Sequence, residues 1–292
     1  MTDIYAAVQS IGDDSPQAIA AACQTLRISR SAYYAWQQRE PNPRQLQDEE
    51  LTPLVGHVFW KHRRRYGARR IAEELRDMGH VCSAKRVAKL LNNQGLRAIQ
   101  PKSFRPRTTN SRHRLGYSPN LLLESQELEG LDRLWVGDIT YVPLAEGRFD
   151  YLAMLMDRFS RRLVGWQLGN TMDEELVITA LRMAIRQRQP SASLIHHTDR
   201  GGQYAGNRYR AILRRAEIRQ SMSRAANCYD NAFMESCFGT IKTELEMTEY
   251  PHQAAALKEI RSYVAYYNQQ RKHSALGYLT PHQFEAIQPP AK

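Results

Sequence analysis

The sequence predicts an α/β domain preceded by a small, basic, all-α region, and three observations carry that reading. From Leu131 onward, strand-like apolar runs alternate with stretches of helical periodicity, the order of a sheet with crossover helices. Before it, apolar residues recur at spacings of three and four among many Lys and Arg, the pattern of paired helices. Within the α/β part, Asp138 and Asp199 belong to strand-like runs and Glu235 to a helix-like one.

The 292 residues suffice for one large or two to three small domains, and 42% hydrophobic residues suffice for a buried core. No apolar run approaches the roughly 18 residues of a membrane span, and Met1-Thr2-Asp3-Ile4 does not open a secretory signal. Cys23, Cys82, Cys228 and Cys237 form no C-x-x-C pair, which suits reduced thiols in the cytoplasm. A net charge of +11 and a pI near 9.6 favour nucleic acid over a membrane as partner. Residues 61–119 hold 16 Lys or Arg against 3 Asp or Glu, more than the whole chain's excess.

In the all-α part, Ser15-Pro16 opens a helix with Ile19, Ala22, Cys23 and Leu26 on one face. A turn at Ile28-Ser29-Arg30-Ser31 leads to a second helix from Ala32, so residues 1–40 read as a helix-turn-helix-like segment or an ordinary helical hairpin. Residues 44–97 read as a second helix-turn-helix domain. A helix from Gln47 to about Arg65, with Pro53 near its first turn, precedes a pair over Ala68–Met78 and Ser83–Asn93. Ile71, Leu75, Val87, Leu90 and Leu91 are its expected core, and Ser83 its N-cap. Lys85, Arg86, Lys89 and Asn92 then point outward, as a face for the DNA major groove or a merely solvated one. Residues 98–125, with Pro101, Pro106 and Pro119 among five basic residues, read as a basic linker able to lie along phosphates.

In the α/β part, 126–288, strands are expected over Leu134–Leu144, Phe149–Asp157 and Arg162–Asn170, the first two joined by a turn at Ala145-Glu146-Gly147-Arg148. Thr171-Met172-Asp173-Glu174 reads as a capping box for a helix to about Gln189, with Val177, Leu181 and Ile185 inward. A strand ending at Asp199, a helix near Asn207–Ala216, a strand near Arg219–Ser223 and the Glu235 helix follow. On the last, Met234, Phe238, Ile241 and Leu245 pack down. A long helix over His252–Gln270 and a short one capped by Thr280-Pro281 complete the chain.

Four stretches make these elements specific: WVGDITY (Trp135–Tyr141), HTDRGGQY (His197–Tyr204), NCYDNAFME (Asn227–Glu235) and YYNQQRKHSALGYL (Tyr266–Leu279). Together, with 35 residues between Asp199 and Glu235, they resemble the DDE transposases of the insertion-sequence-three family. The resemblance runs from about Ala21 to Phe284. It implies a retroviral-integrase-like, RNase H-like core in which Asp138, Asp199 and Glu235 hold two Mg²⁺ or Mn²⁺ ions. It also implies cleavage and strand transfer at element ends, double-stranded DNA of the terminal inverted repeats and target as partners, a homo-oligomer on DNA, and a cytoplasmic, nucleoid-associated protein. Lys242, two turns beyond Glu235, matches a basic family position that contacts the element's end; a solvated lysine is the plainer reading. The family's full transposase is usually fused to an upstream-frame product with a leucine zipper. No run of heptads is visible here, so such a partner or fusion is expected.

The carboxylates also support the chemistry directly. Asp138 stands between Val136 and Ile139, where an unpaired charge is costly and a bound cation offsets it. Hard oxygen ligands suit Mg²⁺ or Mn²⁺ rather than zinc, and His196-His197 lacks a second ligand pair. One of these histidines lines the site or both pack in the core. Asp157 matches no metal position, and Arg158, Arg161 and Arg162 offer it structural partners. Two other functions remain compatible with the sequence: a non-catalytic DNA-binding regulator of the element, and an RNase H-like nuclease without strand transfer.

Overall fold

The computed structural model describes residues 2–11, 15–38, 42–100, 116–123, 128–224, 232–246 and 249–288. Three short helices come first: α1 (Thr2–Ile11), α2 (Pro16–Thr25) and α3 (Arg30–Gln37). Their core is Val8, Ile19, Ala22, Cys23 and Tyr33. α1 has no counterpart among the expected helices. Leu26, expected on the inner face, instead caps α2 and is 43% exposed.

The second helical unit comprises α4 (Pro43–Lys61), α5 (Ala68–Asp77) and α6 (Ala84–Asn93). α4 starts four residues before the expected Gln47, because Asn42 and Gln45 form a reciprocal capping box with Pro43 in the first turn. Pro53 lies inside the helix rather than near its start; it is exposed, and the helix continues past it. Ser83 caps α6 by accepting from the Arg86 amide. Ile71, Leu75, Val87, Leu90 and Leu91 are buried together with Val55 and Phe59. Most of the basic linker, at 101–115 and 124–125, lies outside the described residues.

The α/β unit is built on a five-stranded sheet in the order β3-β2-β1-β4-β5. β1 (Leu134–Pro143), β2 (Phe149–Asp157) and β3 (Leu163–Gly169) form an antiparallel meander, and β4 (Ile195–Thr198) and β5 (Arg219–Met222) run parallel to β1. The helices are α7 (Glu174–Arg188), α8 (Gly202–Ala205), α9 (Asn207–Arg215), α10 (Ala232–Glu244), α11 (Gln253–Gln269) and α12 (Pro281–Ala286). Successive strand residues point to opposite faces. Trp135 and Ile139 therefore pack with α7, α8 and α9, and Leu134, Val136 and Val142 with α10 and α11. A Cβ on Gly165 would lie 2.3 Å from the Ala180 carbonyl oxygen, so only glycine lets α7 seat this closely on β3.

The α7 cap differs from the expected box. Asp173 is the N-cap and accepts from the Leu176 amide, while the Thr171 hydroxyl donates to the Asp173 carboxylate. Both residues are good caps; the role falls to the one a single residue before Glu174.

Candidate active site

Strand register brings the two aspartates together. β1 and β4 are parallel neighbours paired as far as Val136 opposite His197, so Asp138 and Asp199 each follow the last paired position by two residues, at the same end of the two strands. Asp138 belongs to the alternation that faces α10, which lies against β1 and carries Glu235. One Asp138 oxygen accepts from the Ile139 amide at 2.8 Å, and Asp199 Oδ1 accepts from the Gly201 amide at 2.9 Å. A Cβ on Gly201 would come within 3.1 Å of that same oxygen, so the glycine after Asp199 keeps the carboxylate accessible.

The electrostatics show a concentration of negative charge. The Asp138 carboxyl is held well above the usual aspartate range, first by burial, then by the charge of Asp199, and more weakly by Glu235. The Ile139 amide and Lys242 oppose that shift without cancelling it. Glu235 is exposed near the start of α10. Among the described residues, no three His, Cys, Asp or Glu side chains converge closely enough to hold an ion together. The residues just before α10, 225–231, lie outside the described residues, including the start of the NCYDNAFME stretch. The donor set of crowded, oxygen-only carboxylates fits a hard divalent cation.

Lys242 is half-buried, and its ammonium is pushed down by burial and raised by Asp138. The lysine therefore lies within the field of the carboxylates. Tyr204, buried on the α8 side, stays a neutral phenol; burial and then the Asp138 charge push its hydroxyl well up.

Neither histidine is available to line the site. His196 is fully buried between the Trp135 carbonyl at 3.3 Å and the Tyr209 hydroxyl at 2.7 Å. Burial lowers its pKa to about 4, so the ring is neutral. His197 is buried between Ser221 and Ser223 on the other face. Asp157 is also satisfied within the fold, accepting from the Asp132 amide and from the amide and hydroxyl of Ser160. Among the described residues, none of the expected arginines hydrogen-bonds the Asp157 carboxylate: Arg158 and Arg161 cover the Phe233 ring, with Arg161 still within the field of Asp157, and Arg162 pairs with Glu285.

On α6, Lys85 and Lys89 are exposed, but Arg86 does not point outward as expected. Its guanidinium turns back to Asp48 at 2.5 Å, Gln47 at 2.8 Å and the Arg44 carbonyl at 3.2 Å. An acidic residue one helix away captures it, which the spacing within α6 could not reveal.

Family models match in the same order as these units. One described as an HTH-like domain covers residues 46–104, and two described as integrase core domains cover 130–228 and 216–281. An insertion element IS600 31 kDa protein of Shigella sonnei is 41% identical over 90% of this chain and 96% of its own length. Transposase InsF for insertion sequence IS3A of Escherichia coli is 39% identical over 91% and 93%. The transposase for insertion sequence element IS904 of Lactococcus lactis is 38% identical over 85% and 98%. Among solved structures, the HTLV-2 integrase catalytic core domain in complex with magnesium shares 18% identity at a TM-score of 0.42, covering 52% of this chain and 95% of that one. A simian T-cell lymphotropic virus intasome chain shares 18% at a TM-score of 0.46, covering 82% and 76%. With relatives this similar along nearly its whole length, the chain belongs to the IS3-type insertion-sequence transposases, an integrase core preceded by an HTH-like domain.

Proposed function

We propose that the chain cuts DNA at the ends of its insertion sequence and joins the freed 3′ ends to a second strand, using Asp138, Asp199 and Glu235 as its metal-binding, catalytic carboxylates. The observation that supports this reading is the parallel pairing of β1 with β4, which carries Asp138 and Asp199 to the same end of neighbouring strands, with Asp199 and Glu235 both raising the Asp138 pKa. Two Mg²⁺ or Mn²⁺ ions held by these residues would supply nucleophile activation and stabilisation of the leaving oxygen. The chain itself supplies the rest. The Ile139 and Gly201 amides orient the two aspartates, and Lys242 places a positive charge beside them for the terminal nucleotides. The terminal repeats and target are the DNA partners, gripped by a homo-oligomer with the upstream-frame product joined or added.

Residues 44–97 are proposed as the sequence-reading unit, with Lys85 and Lys89 on its DNA face. Arg86 belongs to the fold of that unit, through Asp48, rather than to a phosphate. Replacing Lys85 and Lys89 together by Gln in the full chain should reduce the slope of log affinity against log salt by about 2, near one for each phosphate no longer neutralised. Measured by filter binding on terminal-repeat duplex, an unchanged slope would move the DNA face elsewhere.

A further inference from the structure

The two ends of α10 are held differently. Near its start, Phe233 lies under Arg158 and Arg161, and Glu235 is exposed. At its end, Glu244 is buried in a polar hub. Its carboxylate accepts from Arg271 Nε at 2.9 Å and Nη2 at 2.7 Å and from the Tyr263 hydroxyl at 2.9 Å. Arg70 of α5 approaches the same carboxylate at 3.4 Å, and Arg65 Nε donates to the Glu244 backbone carbonyl at 3.0 Å.

That hub is the centre of a seam between the HTH-like unit and the core. Arg63 and Arg64 both adopt positive φ, which turns the chain sharply after α4 and brings His62, Arg65 and Tyr66 to one side. His62 stacks on Tyr66 at 3.8 Å and meets the Tyr266 hydroxyl at 3.0 Å. The Arg65 guanidinium lies over Tyr263 and Tyr266 at 5.0 and 4.7 Å. Tyr66 donates to the Gln270 carbonyl and accepts from the Lys272 amide, and Lys272 pairs with Asp77. A carboxylate and a guanidinium this deeply buried hold each other in one geometry, since neither has water as an alternative partner.

We propose that Glu244 and Arg271 are positioning residues for catalysis: they fasten the end of α10 to the core and to the docked HTH-like unit at once, and so fix where Glu235 stands nine residues earlier on the same helix. The proposal rests on the catalytic reading of Glu235. Nine residues of helix are about 13.5 Å, short enough for a rigid rod to carry a displacement of one end to the other. Docking of the DNA-reading unit thereby sets the catalytic glutamate.

The test uses the full chain, with its upstream partner, on a labelled terminal-repeat duplex. Nicking is followed against Mg²⁺ concentration for wild type, Glu244→Gln and Arg70→Gln, with melting curves and metal-free DNA affinity for each. Arg70 is partly exposed, so its replacement cuts only the HTH side of the hub and spares Glu244–Arg271. The proposal predicts that both variants need more Mg²⁺ for half-maximal nicking. The expected increase is about tenfold for Glu244→Gln, the scale seen when a metal ligand is deprived of its supporting hydrogen bond, and smaller for Arg70→Gln. DNA affinity should stay within about twofold of wild type, the tolerance set by ordinary additivity error. If Glu244→Gln fails to fold, Arg70→Gln decides. A folded variant with a wild-type Mg²⁺ curve overturns the positioning role, as does a loss confined to DNA affinity. Wild-type protein that binds but never nicks overturns the catalytic reading itself, and the proposal with it.

Discussion

Asp138→Asn, Asp199→Asn and Glu235→Gln are each expected to lower Mg²⁺-dependent nicking of terminal-repeat DNA by about a thousandfold, the upper end for one preorganised transition-state group. DNA binding and the fold should survive. Asp138 allows a sharper form of this expectation. Its folded pKa is raised by burial, Asp199 and Glu235. A raised carboxyl pKa means stability that is full below the unfolded value and is lost as pH rises through the folded one. At neutral pH without metal, Asp138 therefore costs stability, and the amide removes that cost. Asp138→Asn should melt no lower than wild type in EDTA. Wild type should gain melting temperature on adding Mg²⁺, and the variant should not. Near-wild-type nicking by Asp199→Asn would sink the carboxylate assignment.

Lys242→Ala is expected to lose joining, and discrimination between correct and scrambled terminal sequences, by about 10- to 100-fold, the scale of one charged hydrogen bond. The residue is half-buried and lies in the field of Asp138. It therefore lies within the electrostatic reach of Asp138, although positions 235 and 242 are roughly 10 Å apart along the helix axis. A side chain on a helix leans toward the amino terminus, which carries the ammonium back along α10. Weak, nonspecific nicking with Mn²⁺ should persist, since the carboxylates remain. Equal joining by wild type and Lys242→Ala in a labelled-duplex assay would remove this role.

Most of the sheet is legible in the sequence because its signals are local. The turn at Ala145–Arg148 fixes the β1–β2 pairing, and apolar spacing marks the buried faces of α5, α6 and α10. The juxtaposition of Asp138 and Asp199 is expected from the family resemblance; the register supplies its physical cause. What stays hidden depends on partners far away in sequence. Arg86 reads as a free basic residue until Asp48, 38 positions earlier, captures it. His196 and His197 read as site-lining or core until Tyr209, Ser221 and Ser223 occupy their nitrogens. The Glu244–Arg271 hub and its links to Arg65, Tyr66 and Arg70 span 27 to more than 200 positions. In the sequence, Tyr263 and Tyr267 simply continue the apolar face of α11, and nothing there shows the buried ion pair beside them. In α1 the helical spacing of Ile4, Val8 and Ile11 is short, and only Val8 is buried.

Strand transfer is followed on a terminal-repeat duplex carrying a marked 3′ end, incubated with the full chain, its upstream-frame partner, unlabelled target DNA and Mg²⁺. The marked strand is expected to be recovered covalently joined within longer DNA, and this product to vanish with Glu235→Gln. Nicked strands without any joined product from the complete wild-type protein would contradict strand transfer and leave a nuclease.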